Sequence, residues 1–335
     1  MGSSRPRVVV TNRVHPETLD LLDGRLDVVA NREPDPWPPA RLRDHAASAV
    51  AMVAFMTDRV DEAFLAACPR LELIAAALKG YDNFDVAACT RHGVRLTIVP
   101  DLLTAPTAEL AVGLVIALAR HLLVADACMR AGDFAGWRPT LYGAGLDGSI
   151  VGIVGMGALG QAIAARLAGF GCRLRYTDPR PLERADETRL GLEPAPLEAL
   201  LAASDFVLLA APYHAGSHHV IGAAALARMK PGAYLVNPAR GSLVDEAAVA
   251  DALRAGRLAG YAADTFEMED WARPDRPPAV APGLIADRAR TVLTPHLGSA
   301  VRDVRRAIEL AAARNVLRLL DGEPLVGCVN PEAAS

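Results

Sequence analysis

Lysine is almost missing from this chain. Of its 35 basic residues only two are lysines, Lys79 and Lys230, and the rest are arginines. A side chain used so rarely draws attention wherever it falls. Cysteine is also sparse. The five (Cys68, Cys89, Cys128, Cys172, Cys328) are odd in number, scattered and without a CxxC pair. That argues against a disulfide scaffold or a cysteine zinc site and suits a reducing, cytoplasmic setting. Long apolar runs are lacking too. The longest, Leu110 to Ala119, is too short to span a bilayer. No secretory-type segment precedes the first apolar strand, so no membrane association is expected. Charge of one sign is not in excess: a net −4 gives no reason to expect nucleic acid or an acidic membrane surface as partner. No metal-ligand cluster is visible. The one histidine pair, His218-His219, has no carboxylate or cysteine at ligand spacing and reads as solvated loop.

What the chain does have is length and apolar content. Its 335 residues, 52% hydrophobic, allow one large or two medium domains with a sizeable core. The most informative stretch is Ser149 to Arg180. A short apolar run, Ile150 to Val154, reads as a buried strand and leads into Gly155-Met156-Gly157-Ala158-Leu159-Gly160. Leu159, Ile163 and Leu167 then mark one face of a helix, and a second strand, Arg173 to Thr177, ends in Asp178. Strand, glycine turn, helix, strand and acid in this order form a dinucleotide-binding unit. The first glycine permits the turn, the second lets backbone approach a pyrophosphate, and the third lets helix and strand pack closely. Asp178 falls eighteen positions after Gly160, where a ribose-binding carboxylate belongs.

The remaining chain alternates strands and helices. Strands are expected at Arg7–Thr11, Ala49–Phe55, Leu71–Leu78 and Val94–Val99, forming a separate, smaller α/β domain without a fingerprint. A long apolar helix over Thr107–Leu123 and another over Asp126–Trp137 follow, fit for core or a subunit interface. After the fingerprint, strands are expected at Asp205–Ala210, Ala233–Asn237, Gly260–Asp264 and Thr291–Thr294, with a proline-rich irregular stretch from Arg273 to Pro282. The last helix, Val301–Leu320, has no domain of its own, so it is expected to pack back on the N-terminal one. The architecture expected is α/β: two Rossmann-like domains with parallel sheets, residues 101–300 inserted into a substrate domain of 1–100 and 301–335.

Ligands of open α/β sheets sit at the carboxyl ends of strands. Three successive strands end in candidate catalytic groups: Arg240, then Asp264 and Glu269, then His296. Arginine offers a planar fork to an oxyanion. Histidine exchanges protons near neutral pH, and a carboxylate behind it fixes its tautomer. Such a set suits hydride abstraction from an anionic substrate. Lys79 adds an independent hint, because it ends a strand beside Gly80 where the smaller domain should face its ligand. A second cation suits a compact, highly charged oxyanion.

These motifs carry a family resemblance. Gly155-x-Gly157-x-x-Gly160, Asn237-Pro-Ala-Arg240-Gly241, Asp264-x-Phe266-Glu-x-Glu269 and Pro295-His296-x-Gly298 resemble the D-isomer-specific 2-hydroxyacid dehydrogenases. The longer segments AFMTDRVD, ALKGYDNFDV, VPDLLTAPTAELA, FEMEDWARPDRP and TPHLGSAVR resemble, within that family, the phosphite (phosphonate) dehydrogenases. The resemblance implies NAD-dependent oxidation of phosphite to phosphate, an active site in an interdomain cleft, and a homodimer built on residues near 107–145. It implies that Arg240 binds substrate, that His296 is the base activating water, and that Glu269 supports it. It adds Lys79, Met56, Gly80, Trp137, Tyr142, Ser299 and Arg305 to the substrate side, with Arg305 a candidate to reach across the dimer. It adds Met156, Ala158, Leu159, Pro179, Pro212, Ala239, Asp264, His296 and Gly298 to the cofactor side. Relatives of this kind carry Glu-Ala where this chain has Asp178-Pro179, with Arg180 next. NAD is therefore expected to be preferred and NADP used more weakly. The alternatives are an ordinary D-2-hydroxyacid dehydrogenase of glyoxylate or hydroxypyruvate reductase type, which has no need of Lys79, and a non-catalytic NAD sensor, which would lack a catalytic group.

Overall fold

The computed structural model describes residues 5–271 and 273–334. The chain divides into two compact units. Met1–Leu103, Trp271–Pro274 and Ala300–Ser335 form the first, and Thr104–Asp270 with Asp275–Ser299 the second. The first unit opens with β1 (Arg7–Val10), α1 (Pro16–Asp23), β2 (Asp27–Ala30), α2 (Pro39–Ala46) and β3 (Ala51–Ala54). It continues with α3 (Glu62–Ala67), β4 (Leu73–Ala76), α4 (Val86–Arg91) and β5 (Arg95–Thr97). The strands pair in parallel in the order β2-β1-β3-β4-β5. β3 and β4 are buried at every position, so they read as continuous apolar runs rather than alternating ones. The chain order reverses between β1 and β3, which places the ligand side of this sheet at their carboxyl ends.

The second unit begins with α5 (Thr104–Ala119) and α6 (Leu122–Ala131), then β6 (Ile150–Val154), α7 (Ala158–Leu167), β7 (Arg173–Thr177), α8 (Arg184–Leu190) and β8 (Leu192–Pro194). α9 (Leu197–Ala203), β9 (Phe206–Leu209), α10 (Ala223–Arg228), β10 (Ala233–Asn237), α11 (Glu246–Arg254), β11 (Leu258–Ala263), α12 (Pro282–Ala286) and β12 (Thr291–Leu293) complete it. All seven strands are parallel, in the order β12-β11-β10-β9-β6-β7-β8. The order reverses between β6 and β9, where the glycine turn lies. α5 lays Ala108, Ala111, Val115 and Leu118 into the core against α7 and the sheet. The long α13 (Arg302–Asp321) returns to the first unit and buries Ile308, Ala312, Ala313 and Val316 there.

The two helices ahead of the fingerprint depart from the expected bounds. α5 starts at Thr104 and stops at Ala119, because His121 takes a left-handed backbone (φ 54°) that no helix can carry through. α6 then runs only to Ala131, closed by Gly132 at φ 78°. No residue of α6 is buried. Among the described residues no single helix is long and apolar enough to cross a membrane, and no three His, Cys, Asp or Glu side chains cluster as metal ligands.

Candidate active site

The second unit assembles the nucleotide side at its chain reversal. Gly155 follows β6 with φ 95°, and a Cβ there would fall 2.5 Å from the backbone nitrogen of Ala211, after β9. Only glycine permits two strand ends to approach so closely. A Cβ on Gly160 would lie 2.2 Å from the Gly155 carbonyl, while one on Gly157 would meet nothing within 4 Å. Gly157 caps α7 and leaves its open side free for a pyrophosphate, with the first-turn backbone of Ala158 and Leu159 behind it. Asp178 sits past the end of β7. Its Oδ2 accepts the Met156 N–H at 2.8 Å and its Oδ1 the Arg180 N–H at 2.8 Å. Each oxygen keeps a lone pair for a ribose hydroxyl. A cavity of about 320 Å³ beside it is lined by Tyr176, Thr177, Asp178, Pro181, Pro194, Ala195 and Pro196. A glycine cradle whose open face no Cβ would fill, a carboxylate on the second strand and an adjoining cavity together fit an adenine dinucleotide. Pro179 and Arg180 are exposed at its edge, and Pro212 lies exposed past the end of β9.

Arg240, Glu269 and His296 lie at the carboxyl ends of β10, β11 and β12, as the spacing implied. His296 Nδ1 is 2.7 Å from Glu269 Oε2. With that nitrogen donating, Nε2 is the basic one. The other Glu269 oxygen accepts the Phe266 N–H at 2.8 Å, so the carboxylate cannot rotate away. His296 holds a left-handed φ of 55°, a conformation a non-glycine residue keeps only under constraint. The constraint comes from Asp264. Its carbonyl accepts the His296 N–H at 2.9 Å, and its carboxylate accepts the Thr294 hydroxyl at 2.6 Å, the Leu297 N–H at 2.7 Å and the Gly298 N–H at 2.8 Å. Burial pushes the Asp264 carboxyl up, against those hydrogen bonds. At 1% exposure Asp264 is an internal anchor for the His296 loop. Arg240 is set by Asn237, whose side chain donates to the Arg240 carbonyl at 2.8 Å and accepts the N–H of buried Ala239 at 3.1 Å. Gly241 follows because a Cβ there would overlap the Phe266 carbonyl carbon at 1.9 Å. Gly298 is buried and Ser299 half-buried in the loop that follows His296.

The first unit carries its own set. Lys79 and Gly80 are half-buried beyond the end of β4, and Met56 half-buried beyond β3. The Arg305 guanidinium lies 5.8 Å over the Phe55 ring of its own chain, where burial holds its pKa below the usual arginine value. The sequence reading missed Asp58. It is 4% exposed, accepts the Phe55 N–H at 2.7 Å and also bonds Thr11 from the end of β1. Its carboxyl is pushed up to about 6 by burial. Asn83 joins in, donating to the Asp58 carbonyl at 2.6 Å and the Phe55 carbonyl at 3.2 Å. An aspartate three residues after the expected strand end at Phe55 was the available signal.

Trp137 and Tyr142 lie on the irregular 132–149 segment, 81% and 76% exposed. The histidine pair departs from expectation at His219, a half-buried turn residue whose Nε2 bonds Glu267 Oε2 at 3.0 Å. Glu267 escaped notice because it lies in an acidic run beside Glu269 and Asp270.

Residues 112–298 match the family described as D-isomer specific 2-hydroxyacid dehydrogenase, NAD binding domain. A glyoxylate reductase of Aeropyrum pernix is 38% identical over 98% of this chain and 97% of its own. One from Pyrococcus furiosus is 36% identical over 98% and 96%. Among solved structures, an NADPH-dependent glyoxylate/hydroxypyruvate reductase from Sinorhizobium meliloti, in complex with NADP and malonate, superposes with a TM-score of 0.83 at 29% identity. It covers 99% of this chain and 98% of that one.

Proposed function

The chain belongs to the D-isomer-specific 2-hydroxyacid dehydrogenase family, and from that premise we propose the small anion on which it acts. As a member it is an oxidoreductase with an NAD-binding domain. The observation that carries the chemistry is the 2.7 Å bond from His296 to Glu269, one strand end from Arg240. Arg240 holds and polarises a substrate oxyanion, and His296, oriented by Glu269, moves the proton at Nε2. Bound nicotinamide supplies the hydride acceptor or donor.

The substrate we propose is phosphite. Two features support it: the long segments around Lys79, Glu269 and His296, and Lys79 itself as a second cation for a compact dianion. In this reading His296 takes a proton from water as its oxygen bonds to phosphorus, and hydride leaves phosphorus. A second reading is favoured by the named relatives, which are glyoxylate reductases. It gives the same residues a D-2-hydroxy acid, with Arg240 on the carboxylate and His296 on the hydroxyl proton. None of the relatives described above bears a phosphite-related name. Identities of 36–38% establish the family, while a few side chains decide the substrate. NADH formation from phosphite, set beside D-glycerate and D-lactate oxidation and glyoxylate reduction, separates the two.

NAD is proposed as the preferred cofactor, since Asp178 would face the 2′-phosphate of NADP with like charge. The homodimer is likewise a proposal. Leu122, Leu123, Met129, Phe134, Trp137 and Tyr142 are large apolar side chains exposed on α6 and the segment after it. A second copy would cover them, and light scattering at micromolar protein measures it.

A further inference from the structure

His219 touches both segments that carry the catalytic groups. Its N–H donates to the Ser242 carbonyl at 2.9 Å, two residues after Arg240. Its Nε2 bonds Glu267 Oε2 at 3.0 Å, two residues before Glu269. Next to it lies a reciprocal clasp. Glu267 Oε1 accepts the Glu246 N–H at 3.1 Å, and Glu246 Oε1 accepts the Glu267 N–H at 2.7 Å. The outer Glu246 oxygen accepts the Ala281 N–H at 2.9 Å. Glu246 and Glu267 are 3% and 7% exposed, so the two carboxylates share a buried site and His219 brings a side-chain proton to it. Asp270 strengthens the same seam by accepting the Ser242 N–H at 2.7 Å. His219 itself is held at a left-handed φ of 49°, with its ring stacked 3.8 Å from that of His218. A non-glycine residue keeps such a backbone only where its surroundings impose it.

We propose that His219 is a positioning residue for hydride transfer, locking the Arg240 loop to the turn that carries Glu269 and so aiming the Glu269–His296 pair. This rests on the functional reading above. With His219 donating, Glu267 is drawn against the Ser242 segment, and Glu269 keeps its one-turn reach to His296. Without that donor the turn loses a tie to the Arg240 loop while the rest of the clasp stays. A small displacement at a proton-transfer pair is costly, about 100-fold per ångström.

The cleanest variant is His219→Asn. Asparagine tolerates the left-handed backbone and keeps the N–H to Ser242, but its amide is too short for Glu267. His219→Gln restores a donor near the Nε2 position. With whichever of phosphite or glyoxylate the wild type turns over, His219→Asn should lose about tenfold or more in kcat with the KM for cofactor unchanged, and His219→Gln should recover most of it. In a Glu269→Gln background the His219→Asn loss should largely vanish, because the two act through one bond. The readout independent of turnover is the downfield Nδ1–H proton resonance of His296, expected in wild type and His219→Gln and lost in His219→Asn. Normal kcat in His219→Asn, losses that multiply fully with Glu269→Gln, or no recovery in His219→Gln would each overturn the proposal. A wild type inert to every substrate would defeat the functional reading alone, and the His296 resonance would then decide: its persistence in His219→Asn overturns the positioning role.

Discussion

In the second unit the catalytic candidates stand on loops tied down by buried carboxylates that accept mostly backbone N–H groups: Asp264 under His296, Glu246 and Glu267 under Glu269, and Asp270 under the Arg240 loop. In the first unit the loops bearing Met56 and Lys79 are gathered around Asp58, which accepts one backbone N–H and one hydroxyl. The difference is one of rigidity against adjustability. Several amide donors hold a carboxylate in one geometry, which proton transfer needs. Burial pushes the Asp58 carboxyl up to about 6 against its two donors, so this frame titrates.

Removing the chemistry should produce the largest effect. Arg240→Ala and His296→Ala should each lower kcat/KM by about 1,000-fold or more, since an oxyanion clamp and a general base are each worth that order. Near-normal steady-state turnover in His296→Ala would leave the tightly tied loops without a catalytic purpose. The next effect belongs to Asp58 and is one of stability. Its folded pKa of about 6 exceeds the ordinary 3.8, so its protonated form stabilises the fold below pH 4 and that contribution is lost as pH rises through 6. At 1.36 kcal/mol per pH unit the swing is at most about 3 kcal/mol. Asp58→Asn should therefore compare more favourably with wild type at pH 8 than at pH 4.5 in urea unfolding. A pH-independent difference would place Asp58 outside the titrating frame.

Lys79→Ala should raise the KM for substrate about 10- to 100-fold, the worth of a charge-assisted hydrogen bond, and leave the KM for NAD unchanged. An unchanged substrate KM would remove Lys79 from the substrate side. Smallest is cofactor choice. Asp178→Ala should shift the NAD:NADP ratio of kcat/KM by about tenfold toward NADP, the upper scale of one solvent-screened charge contact at the surface. Loss of NAD affinity with no gain toward NADP would show that repulsion does not set the choice.

The legible parts of the chain were those with strong local signals. β6 and β10 fall where the apolar runs placed them, because a buried parallel strand is an unbroken apolar stretch, while β7, an alternating RLRYT, falls where the order of the fingerprint placed it. The three catalytic candidates were legible because topology puts successive strand ends together. β2 and β8 were not, being sheet-edge strands of four and three residues that are mostly outside the core. A break between two helices was expected, but its place was hidden because a left-handed His121 has no composition signal. His219, Glu267 and Asp58 were invisible for a different reason. Their meaning lies in which backbone and side-chain groups they meet 3 to 48 residues away, and no spacing rule carries that.

The central claim is the substrate, and one assay tests it directly. Purified protein with NAD and phosphite should form NADH, with a kcat/KM well above that for D-glycerate or D-lactate oxidation or for glyoxylate reduction with NADH. Turnover of glyoxylate or a D-2-hydroxy acid that equals or exceeds that of phosphite would contradict the claim and establish the chain as a D-2-hydroxyacid dehydrogenase like its named relatives.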